Sequence, residues 1–158
     1  MKGTGLEILH IDDDANDRLL MTVVCREAKT SINCEPLDDG NKAIAYLKGA
    51  GPYADREKFP LPGVILLDLK MPIKTGFEVL AWMRAQPGLK YLPVIVFTAS
   101  KQEADMTRAY DLGANAFVVK PNTMAGLETL INTIKGFWLT WNEEPVDLVV
   151  ARVTSAAG

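Results

Sequence analysis

The stretch GVILLD, residues 63–68, is a short apolar run that ends in a carboxylate, and the fold can be worked out from it. A continuous run of branched apolar residues of this length indicates a strand buried on both faces, because a half-exposed strand would alternate apolar and polar residues. Apolar residues at helical spacing follow in TGFEVLAWMRAQ (75–86), which stops before a Pro-Gly pair. A buried strand followed by a helix is the repeating unit of a parallel α/β sheet.

The same strand-helix unit recurs on both sides of GVILLD. These segments predict a flavodoxin-like, doubly wound α/β fold: a five-stranded parallel sheet in the order 2-1-3-4-5 with helices on both faces. The connection at 49–62 is rich in Gly and Pro and is predicted to be an exposed loop. The other predicted strands are LEILHI (6–11), INCEPLDD (32–39), PVIVFTAS (93–100) and ANAFVVKP (114–121), and the other helices are NDRLLMTVVCREA (16–28), NKAIAYLKG (41–49), KQEADMTRAYDLG (101–113) and NTMAGLETLINTIKGFW (122–138).

Composition restricts the class of protein. The chain has 158 residues, of which 48% are hydrophobic and 23% are charged, as expected for one soluble globular domain. A net charge of −3 argues against a nucleic-acid or anionic-membrane surface. No apolar run is long enough to span a membrane and the first residues do not form a signal peptide, so we expect a cytoplasmic protein. Cys25 and Cys34 lack metal-ligand spacing and are expected to be reduced thiols.

Carboxylates follow two of the predicted strands. LHIDDD places Asp12, Asp13 and Asp14 at the end of strand 1, and Asp68 ends strand 3. In the predicted order these strands are neighbours, so their carboxyl ends bring the acids to one edge of the sheet. Their mutual repulsion is costly unless a cation joins them, and Mg²⁺ prefers such oxygen ligands. Asp14 directly precedes a helix and is expected to cap it.

A hydroxyl and an ammonium group are predicted at the same edge. Strand 4 ends at Thr98 and strand 5 ends at Lys120. These groups suit an anion bound beside the metal, because both can donate hydrogen bonds to it. Together with the metal they would neutralise charge on a phosphoryl group that is attacked by Asp68. The sequence therefore predicts a phosphoryl-transfer site.

Four motifs resemble the receiver domains of two-component response regulators. IDDD, LLDLKMP, FTAS and FVVKP match that family in order and spacing, and the resemblance covers roughly residues 6–136. We therefore expect a receiver domain at 1–136 and a C-terminal extension at 137–158. The resemblance implies that Asp68 is the phosphoacceptor, that Asp12 and Asp13 hold Mg²⁺ together with Asp68, and that the backbone carbonyl of Lys70 completes the protein ligands.

The resemblance also implies the parts that respond to phosphorylation. Thr98 and Lys120 would contact the phosphoryl oxygens. Phe117 lies where the family has an aromatic switch residue, so Thr98 and Phe117 are the predicted switch pair. The Lys120–Pro121 peptide bond is expected to be cis.

The predicted function is that of a single-domain response regulator that accepts a phosphoryl group from a histidine kinase and signals through protein contacts. The stretch YLKGAGPYADREKFPLPGVILLDLKMP and the KGFW ending are similar to stand-alone receivers that partner phytochrome-type kinases. We expect no enzymatic activity beyond the protein's own phosphorylation and dephosphorylation. A histidine phosphotransfer partner in a phosphorelay and an unphosphorylated scaffold remain alternatives. About twenty residues after 136 are too few for a DNA-binding output domain.

Two other functions with related chemistry are each disfavoured by a short feature of the sequence. A Rossmann-type nucleotide binder needs a glycine-rich turn after strand 1, where this chain has DDDAND. A haloacid dehalogenase-type phosphatase needs a second acid two residues after its nucleophile, and Lys70 lies there.

The tail GFWLTWNEEPVDLVV is unusually apolar. Phe137, Trp138, Leu139 and Trp141 are more large side chains than one helix face can bury, so part of this segment should be exposed. PVDLVV is expected to be extended beyond Pro145. Either the tail covers the bottom of the core, or Phe137, Trp138 and Trp141 form an interface with a second copy or with the kinase.

Overall fold

The computed structural model describes residues 5–27 and 31–157, and these form the predicted fold. Five parallel strands form one sheet in the order β2-β1-β3-β4-β5, which confirms the fold class. In the described ranges no helix has both the length and the apolar character that crossing a membrane requires. The elements are β1 Ile8–Ile11, α1 Ala15–Glu27, β2 Cys34–Leu37, α2 Gly40–Lys48, a 3-10 turn Gly51–Tyr53, β3 Val64–Leu67, α3 Gly76–Ala85, β4 Val94–Thr98, α4 Glu103–Asp111, β5 Ala116–Val119, α5 Met124–Gly136, a π-helical turn Phe137–Trp141 and α6 Val146–Ala157.

The sheet separates two hydrophobic layers. Alternate residues of a strand point to opposite faces, so Leu9 and Ile65 pack with α2 and α3, whereas Ile8 and Leu66 pack with α1 and α5. Both layers are apolar because every central strand is covered on both sides, which is why these strands lack polar alternation. The arrangement leaves the carboxyl edge of the sheet to the loops.

The connection at 49–62 is more ordered than its composition predicts. Tyr53 and Phe59 pack edge-on or tilted against Tyr46 of α2, with ring centroids 5.1–5.9 Å apart. The Arg56 guanidinium donates hydrogen bonds to the carbonyls of Tyr46, Leu47 and Phe59. These carbonyls include two at the end of α2 that have no partner within the helix. The loop therefore covers and caps α2, although many of its residues are exposed.

The segment after Pro145 is helical, so the prediction of an extended PVDLVV was wrong. Proline is compatible with the start of a helix, because the N–H that it lacks would have no partner there. Leu148 of α6 is 1% exposed and belongs to the core on the α2–α3 side of the sheet. Arg152 donates to the carbonyl of Pro62 and forms an ion pair with Glu144. Helix α6 is thus packed against the residues that lead into β3.

Candidate functional site

The parallel register brings the predicted acids together. Ile11 pairs with Leu67, so the residues that follow them, Asp12 and Asp68, leave neighbouring strands at the same level. Asp12 and Asp68 are buried and Asp13 is exposed. One oxygen from each of the three carboxylates lies within 4.8 Å of the others.

This donor set fits a divalent cation. Mg²⁺ takes oxygen ligands and keeps several waters, which suits two buried carboxylates beside an exposed one. Three carboxylates this close repel each other, so a bound cation would stabilise the arrangement. The backbone carbonyl of Lys70 follows two residues after Asp68 and stays a predicted fourth ligand.

Lys120 is the cation that offsets the acids in the described structure. Its Nζ lies 2.8 Å from Asp12 Oδ2, 3.3 Å from Asp68 Oδ2 and 2.7 Å from Asp17 Oδ2. Burial alone would lower the pKa of Lys120, but the contacts with Asp12 and Asp17 outweigh it and raise the pKa. The ammonium group is therefore charged throughout the physiological range and faces the position where a phosphoryl group would be attached to Asp68.

Asp17 is a site residue that the sequence analysis missed. It lies in the first turn of α1, and its carboxylate accepts a hydrogen bond from Lys120. The sequence indicates this role only weakly, because an acid in the first turn of a helix is common. The predicted cap at Asp14 is confirmed, since its Oδ1 accepts the N–H of Asp17 at 3.0 Å. That cap fixes the start of α1 and hence the place of Asp17.

The two buried carboxylates differ in their electrostatics. Burial and the nearby Asp12 raise the pKa of Asp68, against the opposing influence of Lys120 and Thr98. Burial also acts on Asp12, but the His10 ring, with its Nε2 3.5 Å from Oδ2, and the Lys120 ammonium at 2.8 Å outweigh it and lower the pKa of Asp12. Asp12 is therefore the better-stabilised anion of the two. Asp68 therefore has more to gain than Asp12 from a bound cation or from conversion to an acyl phosphate.

The predicted switch residues lie on adjacent strands. Thr98 is buried beside Asp68, and its Oγ1 accepts the N–H of Ser100 at 3.3 Å. Phe117 of β5 pairs with Val96 of β4 and packs, partly buried, against the core on the α2–α3 side. The structure thus places Thr98 against the carboxylate and Phe117 on the next strand; their coupled motion stays a prediction.

The predicted cis peptide bond has a definite outcome. The described residues contain no cis peptide bond, so the expectation of a cis Lys120–Pro121 bond was wrong; the trans form is the more stable one for X–Pro. His10 is buried in β1, its ring lies edge-on to Phe97, and its Nε2 lies 3.5 Å from Asp12 Oδ2.

The tail residues divide between core and surface. Leu139 is buried, and Trp138 is partly buried against the α1–α5 side of the core. Phe137 contacts the Trp138 ring edge-on and is half exposed, and Trp141 is 77% exposed. Leu139 and Trp138 therefore cover the core, whereas an interface through Phe137, Trp138 and Trp141 stays a prediction.

A 2-1-3-4-5 parallel sheet with converging carboxylates, a threonine and a lysine at its carboxyl edge defines the receiver class of signalling domains. The response regulator receiver domain family matches residues 8–132, and the chain belongs to that family.

Similar proteins include stand-alone receivers. The response regulator Rcp1 from Synechocystis is 36% identical over 132 residues, which are 84% of this chain and 88% of that protein. The crystal structure of the phosphorylated cyanobacterial phytochrome response regulator RcpA is 32% identical, with a TM-score of 0.80 and coverage of 90% of this chain and 99% of RcpA. The Mn²⁺-bound form of Rcp1 is 34% identical, with a TM-score of 0.76 and coverage of 90% and 100%. The chain is thus a receiver domain homologous to single-domain response regulators of two-component signalling.

Proposed function

We propose that the protein is switched by phosphorylation of Asp68, with Asp12, Asp13, Asp68 and the Lys70 carbonyl holding Mg²⁺. The observation that carries this proposal is the position of Lys120 Nζ between the Asp12 and Asp68 carboxylates. A structural ion pair would need one acid, whereas this lysine lies among three. An excess of buried negative charge beside a lysine is suited to a cation and a phosphoryl group.

The chain's residues have distinct roles in the transfer. A carboxylate oxygen of Asp68 attacks phosphorus, and the bond from phosphorus to the imidazole nitrogen of a phosphohistidine donor breaks. The nitrogen leaves with the electron pair of that bond, so an acyl phosphate forms on Asp68 and a neutral imidazole is released from a protonated donor. Lys120 neutralises charge on the equatorial oxygens and Thr98 donates a hydrogen bond to one of them. Mg²⁺, when bound, supplies further positive charge to the same oxygens.

The partner that we propose is a histidine kinase of the phytochrome type. This proposal is supported by the resemblance to Rcp1 and RcpA, the latter described as a phytochrome response regulator. The encounter would occur in the cytoplasm, where ATP-dependent kinases act. Beyond its own phosphorylation and dephosphorylation the protein would catalyse no reaction and would signal through protein contacts, with transfer to a histidine phosphotransfer protein as the alternative.

The tail is the second proposed contact surface. Phe137 and Trp141 are exposed, and α6 exposes apolar side chains at helical spacing on one side. Such a stripe is suited to a second copy of the chain in an isologous dimer, or to a helix of the kinase. The exposed side chains of the α6 stripe are Val146, Val149, Val150 and Val153.

Labelling with a small acyl phosphate tests the proposed function. With Mg²⁺ we expect one acid-stable, base-labile phosphoryl group on Asp68, and none on Asp68→Asn, because an amide is a poor nucleophile. Asp111→Asn is the matched control, an exposed acid on α4 that should be labelled like the wild type. Equal labelling of Asp68→Asn at another residue, or no labelling of the wild type by donor or kinase, would reject the assignment.

A further inference from the structure

One buried charged residue has no part in the site described so far. The buried polar side chains of the described residues are His10, Asp12, Asp68, Thr98 and Asp105. Asp105 lies in the first turn of α4 and is 8% exposed. Burying a carboxylate is costly unless other groups satisfy it, so its contacts indicate what it holds in place.

Asp105 contacts two loops that contribute to the site. Its Oδ2 accepts a hydrogen bond from Ser100 Oγ at 2.5 Å, in the loop after β4. The same oxygen lies 3.2 Å from Lys70 Nζ, in the loop after β3. The contact with Ser100 is a short, charge-assisted hydrogen bond, whereas the Lys70 side chain is 60% exposed and its ion pair contributes little. The interaction with Ser100 is therefore the stronger of the two.

Ser100 in turn contacts the threonine of the site. Its Oγ accepts the N–H of Gln102 at 3.2 Å, which leaves the hydroxyl hydrogen for Asp105. Its backbone N–H donates to Thr98 Oγ1 at 3.3 Å. Because Thr98 Oγ1 accepts this N–H, the hydrogen of its own hydroxyl stays available to donate toward Asp68, with which Thr98 interacts. The contacts form a series from Asp105 through Ser100 and Thr98 to the phosphoacceptor.

We propose that Asp105 and Ser100 are positioning residues that hold the Thr98 hydroxyl as a donor toward the phosphoryl group on Asp68. The proposal rests on the proposed function of Asp68. The buried carboxylate of Asp105 fixes Ser100, and the Ser100 N–H fixes the rotation of the Thr98 hydroxyl. The proposal assigns neither residue a contact with the phosphoryl group, so both act through Thr98. Preorganised donors of this kind favour a bound anion, because their orientation is set before the anion arrives.

Beryllofluoride binding to the full chain in Mg²⁺ tests the proposal, since this anion imitates the phosphoryl group on the aspartate. Ser100→Ala and Asp105→Ala should each raise the half-saturating beryllofluoride concentration by about three- to tenfold, the value of one hydrogen bond. Ser100→Thr, which keeps the hydroxyl that Asp105 accepts from, should remain within about twofold of the wild type. Glu103→Gln is the matched control, because it removes an exposed charge from the same turn of α4.

A double-mutant cycle separates positioning from a general structural effect. In a Thr98→Ala background, Ser100→Ala should change the half-saturating concentration by less than about twofold, because the hydroxyl that it positions is gone. An undiminished effect in that background would overturn the proposal, and so would a Ser100→Ala protein that binds like the wild type. Ser100 is partly exposed and the loss of its hydroxyl is a small change. The Ser100→Ala measurements therefore test the proposal even if Asp105→Ala does not fold. Wild-type protein that binds no beryllofluoride would reject the proposed function itself, and the inference with it.

Discussion

At the scale of residues, the site balances three carboxylates against one lysine. Lys120 contacts Asp12, Asp17 and Asp68 within 3.3 Å, and its side chain is largely buried. Removing one partner from a buried charge cluster costs more than the pair contributes, because the remaining charges are left uncompensated. Lysine and a divalent cation should therefore partly substitute for each other in stabilising this edge of the sheet.

That balance predicts the effect of Lys120→Met on stability. Without metal we expect a loss of about 3 kcal/mol in the free energy of unfolding, because the buried carboxylate of Asp12 loses its cation. Saturating Mg²⁺ should stabilise the variant more than the wild type, because it replaces part of the missing positive charge. Urea unfolding with Mg²⁺ and with a chelator measures both values.

An exposed lysine provides the control for that experiment. Lys101→Met should change the free energy of unfolding by no more than about 0.5 kcal/mol in either condition. If Lys120→Met were as stable as the wild type without metal, Lys120 would not be the group that offsets the acids.

At the scale of elements, the neighbouring strands β4 and β5 carry the two predicted switch residues. Thr98 ends β4 beside Asp68, and Phe117 lies on β5 opposite Val96. A phosphoryl oxygen that binds the Thr98 hydroxyl can shift an existing equilibrium of Phe117 only if it binds one arrangement better than the other. We therefore predict that Thr98 is the link through which α4, β5 and α5 respond to phosphorylation.

Thr98→Ala tests this link. We expect the variant to accept a phosphoryl group, because Asp68 and Lys120 are retained, while Phe117 responds less to beryllofluoride than in the wild type. Aromatic NMR signals of Phe117 with and without beryllofluoride measure the response. Equal shifts of Phe117 in both proteins would show that the coupling does not pass through Thr98.

Helix α6 allows a second test at this scale. Leu148→Ala should lower the free energy of unfolding by about 2–5 kcal/mol, because Leu148 is fully buried and its truncation leaves a cavity. Val150→Ala on the exposed side of the same helix should cost no more than about 0.5 kcal/mol. Chemical denaturation of the two variants compares them directly. Equal stabilities would mean that α6 does not contribute to the core.

At the scale of the whole molecule, the tail both completes the core and exposes an apolar surface. Leu139 and Leu148 are buried, so deleting 137–158 would remove core residues together with the proposed interface. Charged substitutions on the exposed stripe avoid that problem. Val149 and Val153 lie one turn apart on the exposed side of α6 and are suitable positions.

This exposed stripe leads to a prediction about the oligomeric state. We expect the full chain to form a dimer that beryllofluoride and Mg²⁺ strengthen, and Val149→Glu/Val153→Glu to shift it to monomer while Asp68 is still phosphorylated. Sedimentation equilibrium in both conditions measures the mass. A wild-type protein that stays monomeric in both conditions would exclude the homodimer and leave the kinase as the candidate partner. Unchanged phosphotransfer from the kinase to the variant would exclude docking through the stripe.

The sequence by itself determined the sheet and the residues at its carboxyl edge. Buried parallel strands are continuous apolar runs, and parallel pairing brings their carboxyl ends to one edge of the sheet. The sequence is therefore enough to predict that four residues converge there: Asp12, Asp68, Thr98 and Lys120. Their convergence depends on strand order alone. It does not depend on the rotation of any helix.

Only the tertiary structure revealed the contacts that helices make with this edge. Asp17 and Asp105 are ordinary acids of first helical turns, and whether they face the site depends on how each helix is rotated and packed. Lys120 and Asp17 are 103 residues apart in the chain, so no local pattern relates them. Helix α6 was missed because its valines favour a strand, whereas burial of Leu148 in the core outweighs that weak preference.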